Sequence, residues 1–90
     1  MQINFAKKFK KQYDKADLKT KKAFDKRFEL FLQNPFYPLL DNHALTGEYS
    51  GCRSIDVTGN WRAIFSEIEN KDGKKVVIFE LLGTHPQLYK

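Results

Sequence analysis

The chain has 90 residues, of which 41% are hydrophobic, and this predicts one small packed domain, residues 1–90, rather than a disordered segment. Its single cysteine, Cys52, excludes an internal disulfide and a cysteine-cluster zinc site, and is typical of the reducing cytoplasm. No apolar run reaches about 18 residues, so no membrane span is predicted.

Positive charge is concentrated in the N-terminal third of the chain. Residues 1–33 contain ten basic and four acidic side chains, whereas residues 34–90 contain six basic and seven acidic ones. With a pI near 9.4, the protein is expected to attract polyanions or an acidic partner.

The N-terminal region predicts a short strand and a helix. Gln2 to Phe5 is the predicted strand, with the helix beginning at Ala6, because Phe5, Phe9 and Tyr13 repeat at helical spacing. Four exposed lysines of this helix are candidates for RNA phosphate contact, with a solvated helix face as the alternative: Lys7, Lys8, Lys10 and Lys11.

A second helix is predicted to follow the segment Asp14–Asp17, which offers an N-cap, and to stop at Asn34-Pro35. Two antiparallel helices joined by a short turn are expected. The predicted apolar side of the second helix consists of Leu18, Phe24, Phe28, Phe31 and Leu32.

Residues 34–48 are predicted to form a loop or extended connection that packs Leu39, Leu40 and Leu45 onto the core. Tyr49 to Val57 and Trp61 to Ile68 alternate polar and apolar residues, so they predict a β-hairpin with its turn at residues 58–60.

A turn at residues 70–73 leads to a further strand, Lys75 to Leu82, whose two faces are both apolar and which is therefore expected at the centre of the sheet. The predicted order is β-α-α-β-β-β. This is an α+β domain with two helices packed on a small antiparallel sheet.

Two histidines, His43 and His85, lie next to predicted strand ends, where functional residues tend to be found. Histidine titrates near neutral pH, so either side chain is a candidate for proton transfer; two surface histidines are the alternative. A zinc site built from both histidines and Asp56 is less favoured, because no standard ligand spacing is present.

Alternation places Cys52, Ser54 and Asp56 on one face of the first hairpin strand, and Ile55 and Val57 on the face toward the helices. Cys52, Ser54 and Asp56 are then expected on the face of the sheet that points away from the helices, where a ligand has access to Asp56. The alternative for Asp56 is a surface carboxylate paired with an arginine across the hairpin.

Arg62 follows Trp61, and an arginine beside an aromatic ring suits phosphate pairing combined with base stacking. The alternatives are a surface ion pair for Arg62 and a core position for Trp61. Arg53 is a second candidate for holding a phosphate, and Asn60 a further RNA contact.

Three segments together resemble the RelE/ParE toxin superfamily, and within it the YafQ-type toxins of bacterial type II toxin–antitoxin modules. They are His-Ala-Leu-Thr-Gly (residues 43–47) with Gly-Cys-Arg (51–53), then Asn-Trp-Arg-Ala-Ile-Phe (60–65), then Gly-Thr-His-Pro-Gln-Leu-Tyr (83–89). The predicted element order matches as well, so the resemblance extends over most of the chain.

The resemblance implies a compact ribonuclease-type fold and a ribosome-dependent endoribonuclease that cuts mRNA without metal or cofactor. His43, Arg62, His85 and Tyr89 match residues of the family's site, and Trp61 matches an aromatic residue at the hairpin turn. His85 would be the general acid or the general base, and His43 or Asp56 would take the other of these two roles. Trp61 or Tyr89 would stack a base.

Two positions depart from the YafQ pattern: Asp56 replaces a histidine and Asn60 an aspartate. These departures favour a second hypothesis, a catalytically degenerate relative that only binds an antitoxin. A gyrase-inhibiting toxin of the ParE type is a further hypothesis, because that branch has a similar fold. The expected partners are a cognate antitoxin, the ribosome and mRNA, with no membrane and a cytoplasmic location. The oligomer would be a monomer or a toxin–antitoxin complex.

Overall fold

The alternating segments and the helical stripes assemble into one layered unit in a computed structural model that describes residues 1–89. The strands are β1 (Gln2–Phe5), β2 (His43–Ala44), β3 (Cys52–Asp56), β4 (Trp61–Glu69) and β5 (Lys75–Thr84). The helices are α1 (Lys7–Lys15), α2 (Leu18–Gln33) and α3 (His85–Leu88). The α+β class and the predicted element order are confirmed, with β2 and α3 as additions. Within the described residues, no helix is long and apolar enough to cross a membrane.

The sheet has the order β1-β5-β4-β3-β2, and its β1–β5 pair is parallel. The prediction of a purely antiparallel sheet was therefore wrong at this edge. Alternation describes each strand alone, whereas direction depends on the path of the chain between the strands. Both helices and the hairpin separate β1 from β5, and this long connection permits a parallel pair. As predicted, β5 lies inside the sheet, paired with β1 and β4, although the middle strand of the five is β4.

The helices begin and pack largely as their sequences predict. The Asp17 side chain accepts a hydrogen bond from the Thr20 backbone N–H at 2.8 Å and caps α2. Phe9 of α1 is buried in the core. Leu18 and Leu32 were wrongly assigned to the buried side, because they are 67% and 49% exposed. Leu18 is the first residue of α2, and Leu32 follows the buried Phe31, about 100° further round the helix.

A cluster of aromatic rings centred on Phe79 of β5 forms the middle of the core. Six other rings have their centroids 5.4–5.7 Å from that of Phe79. They come from β1, both long helices and β4: Phe5, Phe9, Phe24, Phe28, Phe31 and Phe65. This cluster holds the helical layer on the sheet.

The other face of the sheet is less open than predicted. Ser54 is fully buried, and so is Ile64, its partner on β4. Alternation assigned Ser54 to the correct strand face, but it does not tell whether the chain covers that face. The unpredicted strand β2 pairs with β3 through His43 and Ser54, which removes Ser54 from the sheet edge.

The connection between α2 and β2 contains a short 3-10 turn, Pro38–Leu40. Leu40 is fully buried as predicted, whereas Leu39 is 54% exposed and its predicted burial is wrong, because only one leucine of the turn faces the core. Arg27 fastens this connection: its Nη1 donates to the carbonyl oxygens of Leu39 at 2.9 Å and Asp56 at 3.0 Å. The end of β3 is thereby tied to α2.

Candidate active site

A cleft of about 370 Å³ opens where β5 runs into α3. Strand register explains its position, because Arg62 pairs with Asp56 on one side and with Gly83 on the other. Four predicted site residues meet in this cleft: His43, Arg62, His85 and Tyr89. They are joined there by Asp41, Ala44, Leu45 and Thr46.

Arg62 is held in the wall of the cleft by its own hairpin. Its Nε lies 2.9 Å from Asp56 Oδ1, and its Nη1 donates to the carbonyl oxygens of Thr58 at 2.8 Å and Trp61 at 3.1 Å. Its side chain is only 18% exposed. Among the described residues no hydrogen bond engages Nη2, so this nitrogen remains available to an anion in the cleft.

His43 is positioned by a bend in the connection that precedes it. Asp41 adopts a left-handed conformation with φ of 47°, which aspartate tolerates better than most residues. Its carbonyl oxygen lies 2.7 Å from His43 Nδ1. A carbonyl only accepts hydrogen bonds, so the neutral imidazole has its hydrogen on Nδ1 and presents Nε2 as a base.

His85 is the first residue of α3. Its backbone N–H donates to the Asn60 carbonyl at 2.9 Å, which ties α3 to the hairpin turn. Gly83 allows α3 to pack closely on the end of β5, because a Cβ there would lie 3.2 Å from a methyl group of Leu88. The His85 ring stands exposed with its centroid 4.6 Å from that of Tyr89.

Asp56 and Asn60 contribute to the site indirectly. Asp56 does not line the cleft, and its carboxylate is paired with Arg62, as the alternative interpretation held. Asn60 is an exposed turn residue whose backbone carbonyl, rather than its side chain, contacts His85. Both residues therefore position other members of the site.

Arg53 does not join the cleft. Its Nε donates to the Asn42 side-chain oxygen at 2.7 Å, and its guanidinium lies 5.4 Å from the centroid of the Phe36 ring. These contacts fasten β3 to the connection that precedes β2. Alternation explains the separation, because Arg53 and Asp56 occupy opposite faces of β3.

The four α1 lysines also lie away from the cleft. All are exposed, and Lys8 together with Trp61 lines a separate cleft beside α1. Trp61 is half-buried and packs against the core, so the alternative interpretation, a core position for this residue, is correct in part. Within residues 1–89, no three His, Cys, Asp or Glu side chains are grouped as a metal site would require.

Sequence reasoning missed Asp41, Thr46 and Tyr49. Tyr49 stands edge-on to Tyr89 with ring centroids 6.0 Å apart, and burial raises the pKa of its hydroxyl. The only sequence signal for Asp41 was the Asp-Asn pair at residues 41–42, since both residue types tolerate the left-handed conformation.

Solved structures show where this fold occurs. YafQ from E. coli strain BL21(DE3) superposes with a TM-score of 0.77 at 22% identity, covering 98% of this chain and 97% of that one. A YoeB/ParE toxin from Agrobacterium tumefaciens has a TM-score of 0.74 at 15% identity, covering 94% and 99%. YafQ in the E. coli DinJ–YafQ complex has a TM-score of 0.67 at 22% identity, covering 98% and 97%.

No curated protein is similar enough in sequence to count as a relative. At these identities the solved structures establish only that this chain shares its fold with YafQ and the YoeB/ParE toxin. The sequence itself matches a family over residues 1–90, and that family is described as bacterial toxins of type II toxin–antitoxin systems, YafQ. This protein therefore belongs to the YafQ family of toxins.

Proposed function

We propose that this toxin is a ribosome-dependent endoribonuclease that cleaves mRNA. The observation that supports the proposal best is the convergence of His43, Arg62 and His85 in one cleft, from three separate segments of the chain. Two proton-transfer groups and a fixed cation are the set that RNA transesterification requires.

The chemistry needs no metal ion. One histidine removes the proton of a 2′-hydroxyl, and the 2′-oxygen attacks the adjacent phosphorus. The bond to the 5′-oxygen breaks, and the other histidine protonates that leaving oxygen. The products are a 2′,3′-cyclic phosphate and a 5′-hydroxyl. DNA is not a substrate, because it lacks the 2′-hydroxyl.

Residue roles follow from the geometry. His43 is the better candidate for the base, because its Nδ1 is engaged by a carbonyl and its Nε2 faces no described partner. His85 then acts as the acid. Arg62 stabilises the negative charge on the phosphorane, and the Tyr89 ring stacks on a base next to the cut. Asp56 holds Arg62.

Docking on the ribosome would involve the basic N-terminal region. Four exposed lysines of α1 suit sequence-independent contacts with RNA phosphates: Lys7, Lys8, Lys10 and Lys11. Arg53, Asn60 and Trp61 remain candidates for peripheral RNA contacts. Because translated mRNA is the substrate, the toxin would act in the cytoplasm.

An antitoxin is the proposed protein partner. E. coli YafQ has been solved in complex with DinJ, and RelBE2 of Mycobacterium tuberculosis as a toxin–antitoxin complex. The net positive charge of this chain would favour an acidic segment of such a partner. The assembly would be a toxin–antitoxin complex from which the active toxin is released.

Induced expression with primer extension on a reporter mRNA tests the function. The expected result is growth arrest with cuts in phase with the codons of translated mRNA. A matched reporter lacking its ribosome-binding site should stay intact. Growth arrest in cells whose transcripts stay intact would refute the proposed endoribonuclease activity.

Inhibition of gyrase is the second candidate, because a YoeB/ParE toxin shares this fold and fold does not determine the target. A gyrase supercoiling assay on the purified protein separates the two functions. A catalytically degenerate relative, favoured by Asp56 and Asn60, would bind antitoxin but neither cut mRNA nor inhibit gyrase.

A further inference from the structure

A second cleft of about 430 Å³ lies between α1, the 3-10 turn Gly47–Tyr49 and the ends of β4 and β5. It shares no lining residue with the active-site cleft. Its floor is formed by leucines of β5 and α3. Its walls consist of Lys8, Gln12, Lys15, Tyr49, Trp61 and Gln87.

The polar groups of this cleft are arranged as hydrogen-bond donors. The Gln12 side-chain oxygen accepts from the Leu82 backbone N–H at 2.8 Å, and that of Gln87 accepts from the Thr84 N–H at 2.9 Å. In each amide the oxygen already accepts a hydrogen bond, and within the described residues neither NH₂ group donates one, so both remain available as donors. Lys8 and Lys15 add two cations, and no carboxylate is among the lining side chains. Such a cleft favours an anion rich in acceptors.

Aromatic rings supply the other half of the recognition chemistry. Trp61 and Tyr49 both line the second cleft. Tyr49 contacts Tyr89, which lines the active-site cleft, and Trp61 precedes Arg62 in β4. The two clefts are thus separated by one pair of tyrosines. A strand of RNA that crosses this pair would occupy both clefts with neighbouring nucleotides.

We propose that the second cleft binds an mRNA nucleotide flanking the cut, an inference that rests on the proposed function. Trp61 or Tyr49 stacks on the base, the two lysines contact phosphate, and the amide groups donate to the base or ribose. A nucleotide fits better than an acidic peptide, because the cleft combines ring faces with cations and adjoins the site of cleavage.

The single tryptophan of the protein allows a direct binding measurement. Trp61 fluorescence is titrated with a short single-stranded RNA whose 2′-hydroxyls are methylated, so that binding is observed without cleavage. Saturable quenching is expected in wild type and equally in Ile68→Ala, an exposed residue of β4 that lines neither cleft. If the Tyr49 ring stacks on the base, Tyr49→Leu should weaken the affinity for this RNA roughly five- to 150-fold.

A pair of matched charge variants tests the lysines. Lys8→Gln/Lys15→Gln should weaken binding and reduce the slope of log K against log salt by roughly 0.7 per lost phosphate contact. Lys19→Gln/Lys22→Gln removes the same charge from α2, away from the cleft, and should retain the wild-type affinity.

Three results would overturn the inference. Equal weakening by both lysine pairs would mean that net charge alone attracts RNA. Quenching by poly-glutamate but not by RNA would assign the cleft to an acidic protein segment. Absence of quenching by RNA in a toxin that still cuts mRNA would remove the cleft from the substrate path and leave the proposed function intact.

Discussion

Three backbone carbonyls and one carboxylate surround the Arg62 side chain, and this arrangement determines what the residue can do. The carbonyls hold Nη1, and Asp56 holds Nε. A guanidinium held in this way needs little reorganisation to meet a developing negative charge. At the scale of single residues, Asp56 is therefore a positioning residue for Arg62.

A double-mutant cycle measures this pairing. Asp56→Ala and Arg62→Ala should be non-additive in the free energy of unfolding by roughly 0.5–3 kcal/mol, because each change leaves the other side chain without its partner. Urea denaturation of both single variants and the double variant provides the measurement. The exposed Lys75–Glu67 pair, also at 2.9 Å, is the matched control and should couple by less than about 1 kcal/mol. Additive effects of Asp56 and Arg62 would contradict the positioning role.

His85 should be the most sensitive single position for cleavage. His85→Ala removes one proton-transfer partner, and we expect the cleavage rate to fall by roughly 10²–10⁴. Stability should change by less than about 0.5 kcal/mol, because the ring is exposed and the backbone hydrogen bond to Asn60 does not need the side chain. Primer extension measures cleavage, and a thermal melt checks folding. A folded variant that still cuts mRNA at the wild-type rate would exclude His85 from the chemistry.

Individual elements depend on local signals at their ends. The N-cap of α2 is the clearest case. Hydrogen bonding from Thr20, first from its side chain and then from its backbone N–H, lowers the pKa of the Asp17 carboxyl below its ordinary 3.8. A lowered pKa in the folded state means that the carboxylate stabilises the fold above the ordinary pKa. The stabilisation disappears as the pH falls through the lowered value.

Substitutions at Asp17 separate capping from charge. Asp17→Ala should lower the Tm at neutral pH by a few degrees, whereas Asp17→Asn, which retains a capping oxygen, should lower it less. Below the ordinary pKa the wild type should lose more of its stability than Asp17→Asn, because only the aspartate titrates. Thermal melts across an acid pH series measure both effects. Identical acid sensitivity of the two proteins would mean that the cap contributes nothing through its charge.

The whole molecule depends on the ring cluster around Phe79. This side chain is fully buried and contacts rings from β1, α1, α2 and β4, so it joins the sheet to both long helices. Rings with centroids closer than about 7 Å contribute attraction beyond the area that they bury.

Phe79→Ala should reduce the free energy of unfolding by about 3–5 kcal/mol, because the surrounding rings can fill the cavity only partly. Urea denaturation should show a lower midpoint with an unchanged slope. Ile68→Ala on β4, where the residue is 52% exposed, should cost less than about 1 kcal/mol. Equal losses at the two positions would contradict a central role for Phe79.

The sequence alone determined the local elements of this protein. Helical spacing of Phe5, Phe9 and Tyr13, alternation on either side of the turn at residues 58–60, and the cap-forming segment before α2 are patterns of neighbouring residues. Each therefore predicts an element without knowledge of the rest of the chain. The family motifs likewise identified His43, Arg62, His85 and Tyr89, which do meet in one cleft.

Tertiary structure alone decided the relations between distant segments. The parallel β1–β5 pair, the burial of Ser54 and the separation of Arg53 from the cleft depend on where other parts of the chain pass. The second cleft combines residues from α1, the turn before β3, β4 and α3, which no local pattern relates. Periodicity specifies the face of an element, whereas only packing specifies what that face meets.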